Sequence, residues 1–123
     1  MAADVTTIYN NIAHVLKAYK SPYALKNVSD KRMDLYIEKE MTLLGKAYKE
    51  MFIASAIIQK GYVSFHFFPM YMNPKLGEKI PAELKKCLKG KTCFHIKKDD
   101  PQLIKQIDET LKLGTEFFKQ LAK

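Results

Sequence analysis

The stretch Ala47-Tyr-Lys-Glu-Met-Phe-Ile-Ala-Ser-Ala-Ile-Ile-Gln-Lys-Gly-Tyr-Val-Ser-Phe-His-Phe-Phe68 decides the fold class. Two apolar runs, residues 47–59 and 62–68, flank Lys60-Gly61, and glycine supplies the positive φ that a tight hairpin turn needs. A two-residue turn pairs Val63 with Ile58, Phe65 with Ala56 and Phe67 with Ala54. Large side chains then oppose small ones, which lets that face pack closely against helices. The opposite face pairs Ile57 with Ser64, Ser55 with His66 and Ile53 with Phe68, half apolar and half polar. A slip of one residue would exchange the faces, so the turn fixes both.

Upstream, Asp4 is placed to cap a helix in which Val5, Ile8, Ile12, Val15, Leu16 and Tyr19 recur at helical spacing. Ser21-Pro22 should end it, because the residue before proline avoids the α region. Strands are predicted at residues 23–28 and 32–39, the second with Met33, Leu35 and Ile37 alternating with Asp34, Tyr36 and Glu38. Residues 41–46, with Gly45, read as a loop. Downstream, residues 69–74 read as a loop rich in large side chains, and Pro81 opens a short helix over 82–89 with Gly90 as its stop. A fifth strand follows at 92–97. Asp100-Pro101 then starts a last helix through Leu103, Ile107, Leu111, Phe117, Phe118 and Leu121, loosened at Gly114. The expected fold is one α+β domain over residues 1–123. Its five-stranded, mainly antiparallel sheet carries the N- and C-terminal helices on one face.

At 123 residues, 47% hydrophobic and 28% charged, the chain has the makeup of a globular domain. No apolar run approaches the roughly 20 residues of a membrane-spanning helix. The start Met-Ala-Ala-Asp has neither a basic nor an apolar leader region, so a cytoplasmic location is expected. Cys87 and Cys93 are then expected as free thiols.

The net charge of +8 is uneven. Residues 74–98 hold eight lysines against Glu78 and Glu83, a local +6. Twenty of the twenty-one basic residues are lysine, Arg32 being the exception. Arginine supplies the bidentate forks that read phosphates and guanine edges, so a dedicated nucleic-acid reader is not expected. The alternative is weak, unspecific nucleic-acid binding through the lysines of residues 75–98.

His66, Cys93 and His95 are the strongest metal-ligand candidates, and their soft donors suit zinc or copper. They lack the CxxC or HExxH spacing that specifies such a site, so neither metal nor cofactor is expected. Tyr71-x-x-x-Lys75 has the spacing of a dehydrogenase dyad without a glycine-rich dinucleotide loop. Asp99-Asp100 reads as helix capping rather than an acid–base pair. With no nucleophile, base and orienting group assembled, a non-enzymatic binding protein is expected. Its candidate surface has Tyr62, Ser64, His66 and Phe68 as a wall and Met70, Tyr71, Cys93 and His95 as a rim. Such a surface suits a small ligand or a second copy of the chain as a homodimer.

The runs Lys60-Gly-Tyr-Val-Ser-Phe-His-Phe-Phe-Pro-Met-Tyr-Met72, Ile80-Pro-Ala-Glu-Leu-Lys-Lys86 and Leu88-Lys-Gly-Lys-Thr-Cys-Phe94 resemble the YdhG-like domains, small bacterial proteins of unknown function grouped with frataxin-like folds. Element order extends the resemblance over about residues 5–121, while its distinctive phrases lie between 60 and 98. It implies an α-β-α layout and a role as an intracellular iron chaperone. Frataxin-type iron binding implies an acidic first helix. This first helix has only Asp4, with Lys17 and Lys20 at its other end, whereas iron prefers carboxylate oxygen.

Overall fold

Strand alternation sorts the sheet of this protein into two unlike faces, and both terminal helices lie on the apolar one. The computed structural model describes residues 5–19, 23–37, 41–43, 46–90 and 92–121. In chain order the elements are α1 (Val5–Lys17), β1 (Ala24–Lys26), β2 (Arg32–Ile37), β3 (Met41–Leu43), β4 (Lys46–Tyr48), β5 (Met51–Gln59) and β6 (Tyr62–Phe67). There follow α2 (Pro69–Met72), α3 (Pro74–Glu78), α4 (Ala82–Lys85), β7 (Cys93–Ile96) and α5 (Pro101–Leu121). Five strands form one open sheet in the order β1-β2-β5-β6-β7, every neighbouring pair antiparallel. The fold class expected from the sequence is the one observed.

The β5–β6 register is the one a two-residue turn demands, with Ala54 opposite Phe67, Ala56 opposite Phe65 and Ile58 opposite Val63. Gly61 holds φ at 89°, which a side chain would resist. Met33, Leu35, Ala54, Ala56, Val63, Phe65, Phe67, Phe94 and Ile96 make the apolar face and join Ile8, Ile12 and Leu16 of α1 and Leu103, Ile107 and Leu111 of α5 in one core. Phe65, Phe67 and Phe94 are fully buried, each contributing about 2–3 kcal/mol relative to exposure. Polar contacts tie the segment between α1 and β1 to α5: Tyr19 donates to Asp108 at 2.7 Å, and the Tyr23 and Thr115 hydroxyls share a 2.8 Å bond. Gln106, buried on α5, accepts the Leu84 amide of α4 at 2.8 Å and so satisfies an N–H left open at the start of that short helix.

Four details differ from the sequence expectation. Residues 41–43 and 46–48 pair as a separate two-stranded sheet instead of forming a loop, and β5 begins at Met51 rather than at 47. Residues 69–78 coil into α2 and α3, because Pro69 and Pro74 each fit a first helical turn. α4 closes at Lys85, and residues 87–89 run beside β7: Lys89 donates to the Cys93 carbonyl and His95 to that of Cys87. Gly90, φ 121°, therefore serves the turn into β7 rather than a helix end. Last, β2–β5 pairing steps from Leu35–Ala54 to Tyr36–Phe52, a bulge that passes over Ile53. Ile53 is fully buried in the core, and Phe52 takes the place beside Phe68 that alternation had assigned to Ile53. The expected roles of Asp4, Ser21, Pro22, Glu38, Lys39 and Gly45 fall outside the described residues, as do the side chains of Phe118 and Leu121.

Candidate functional site

Two rows of side chains cross the face turned away from α1 and α5. Asp34, Ser55, His66 and Cys93 stand opposite one another on β2, β5, β6 and β7. Arg32, Ile57, Ser64 and His95 form the adjacent row. At one end Tyr62 stacks on His95, ring centroids 4.1 Å apart. At the other Phe52 meets Tyr36 edge-on at 5.6 Å and Phe68 at 6.3 Å, and Tyr71, more than half exposed, stacks on Phe68 at 5.7 Å. The face is thus polar in the middle and aromatic at both ends.

Six of the eight candidate residues lie on this face or its end: Tyr62, His66, Phe68, Cys93 and His95, each half-buried, and Ser64, which is buried. Tyr71 extends it through Phe68. Met70, like Phe68, packs against the hydrophobic core, with its methyl toward Gly77.

The centre of the face is a cluster that sequence patterning did not single out. Asp34 is fully buried and accepts from the Arg32 guanidinium, Nε at 3.1 Å and the terminal nitrogen at 3.0 Å, and from the Asn27 amide at 2.7 Å. Asn27 reaches it from the β1–β2 turn in a left-handed conformation, φ 54°, which asparagine tolerates. An aspartate in mid-strand, where the type is disfavoured, was the available signal that a partner had to exist.

Burial shapes the chemistry of the face. It lowers the His66 pKa below 6.5, assisted by the Arg32 and His95 charges and opposed by Asp34. It raises the Cys93 thiol above 9.0, against a hydrogen bond from Ser64 that favours the thiolate. Near neutral pH the face therefore offers a neutral His66 imidazole and a protonated Cys93 thiol, the latter being the weakly nucleophilic form of cysteine. Among the described residues, no three of His, Cys, Asp and Glu gather to hold a metal.

The His66 environment makes stability pH-dependent. Because its folded pKa lies below the unfolded value of 6.5, the unfolded chain takes up the proton first. This contribution is complete above about pH 6.5, falls as pH drops through that value, and levels off below the folded pKa. His66→Gln should narrow the stability difference between about pH 7.5 and pH 5 in urea unfolding. An unchanged difference would contradict the burial of this imidazole.

No family model, curated protein or solved structure matches the chain.

Proposed function

We propose that the chain is a non-catalytic binding protein whose working surface is the sheet face bearing Ser64, His66, Cys93 and His95. One observation carries this reading: a hydrogen-bonded polar centre lies between aromatic groups, on the face opposite the helices. Aromatic anchors around a few fixed polar groups are the usual makeup of recognition surfaces. The raised Cys93 thiol pKa disfavours nucleophilic chemistry at that residue.

The first occupant to test is a second copy of the chain, since two sheet faces of this kind pack well and a standard interface buries about 800 Å² per partner. Sedimentation equilibrium of the wild type and Phe68→Glu makes the test. A dimer weakened about a hundredfold by the introduced carboxylate supports the reading in its dimeric form. A wild-type monomer directs the search to small ligands by thermal shift. If no compound stabilises the wild type, or those that do stabilise Phe68→Glu equally, the face is not the binding surface.

A further inference from the structure

At the β7 edge, adjoining the sheet face through His95, the fold gathers lysines from the two sides of a turn. The pairing of residues 87–89 along β7 brings Lys86 and Lys89 to the same cleft as Lys97 and Lys98, which follow that strand. They border a cleft of about 320 Å³ whose lining lysines and carboxylates, these four against Glu83 and Asp100, sum to +2. Both carboxylates have partners, Glu83 a lysine of the cleft itself. Glu83 pairs with Lys86 at 3.6 Å, and Asp100 accepts the Gln102 amide at 2.9 Å as the cap of α5. Among the described residues, Lys89, Lys97 and Lys98 make no ion pair. In the same cleft burial, with Glu83, raises the Cys87 thiol pKa, and these three lysines oppose that rise.

We propose that this cleft binds a chain of phosphates, free or carried by a small molecule. Several like charges at close spacing answer three unpaired ammonium groups, and lysine meets phosphate oxygens as a point charge without the planar geometry arginine imposes. The volume is at the small end for ligand pockets, suited to a compact polyanion. A duplex, by contrast, spreads its charge along a convex cylinder at about one per 1.7 Å and would span far more than this concavity.

Titration calorimetry of the wild type with inorganic triphosphate at about 50 mM salt tests the proposal. One saturable site is expected, weakened about tenfold in Lys89→Gln/Lys97→Gln/Lys98→Gln and less than about threefold in Lys75→Gln/Lys79→Gln/Lys85→Gln. The two variants lose equal charge from the same segment, so a general field would weaken both alike. Equal weakening, or no saturable heat with the wild type, overturns the proposal. Iodoacetamide locates the site: triphosphate should slow alkylation of Cys87 and leave Cys93 unchanged, and any other pattern contradicts it. Adenosine triphosphate binding more tightly than triphosphate would mark the phosphates as part of a nucleotide, and equal binding would mark the chain of phosphates itself. Duplex DNA that binds more tightly than triphosphate and displaces it would overturn the proposal in favour of a nucleic-acid surface.

Discussion

Gly114→Val is expected to lower stability by about 3 kcal/mol, although glycine costs a helix interior about 1 kcal/mol relative to alanine. At an exposed helical site the substitution would be neutral or helpful. Here a Cβ would stand 2.9 Å from two atoms of the Phe67 ring and 3.4 Å from Pro69. That ring is fully buried and stacked 6.5 Å from Phe65, so it has no open space into which to swing. Either α5 lifts from the sheet or the ring leaves its rotamer, and each costs packing energy. Phe67→Leu in the same chain should recover about 1 kcal/mol of the loss, a coupling that a double-mutant cycle in urea isolates. A Gly114→Val protein as stable as the wild type would mean that α5 does not close on β6 as described.

Arg32→Met is expected to cost about 2–3 kcal/mol, more than Asp34→Asn. The asymmetry follows from exposure. The Arg32 side chain is 49% exposed and can return to water, whereas Asp34 is fully buried and keeps only the Asn27 amide once the guanidinium is gone. Half-exposure also keeps the cost below that of a wholly buried pair. The same variant removes a cation that lowers the His66 pKa, so the acid-dependent loss of stability should shrink with it. Urea unfolding of both variants at two pH values checks each part, and a larger cost for Asp34→Asn would contradict the burial asymmetry.

What was legible in the sequence was local. Gly61 between two alternating runs fixed a register, and the register placed Phe65 and Phe67 in the core and Ser64 and His66 on the other face. Helical periodicity found α1 and α5 because each buries one stripe. What escaped depends on tertiary contacts and small irregularities that local periodicity does not encode. The bulge at Leu35/Tyr36 exchanges Ile53 for Phe52, a change that period-two counting cannot register. Gly114 read as a weak point in a helix and is instead a position where the helix backbone closely approaches the Phe67 ring. The Arg32–Asp34–Asn27 cluster joins a strand to its preceding turn, and the lysine cleft forms only because residues 87–89 lie along β7. A count of lysines over residues 75–98 gives the charge of that region without its concavity.

The chain's three histidines supply the most direct test that the face carrying Ser64, His66, Cys93 and His95 is the binding surface. His66 and His95 lie on it, while His14 is exposed on α1, which packs against the opposite face. The imidazole proton resonances are to be followed across the concentration range in which sedimentation detects association, or during titration with a compound found by thermal shift. The predicted result is movement of the His66 signal with His14 stationary; His95 also borders the lysine cleft and does not discriminate. Movement of His14 alone, or a stationary His66 while binding is measured by the other method, would contradict the assignment of this face.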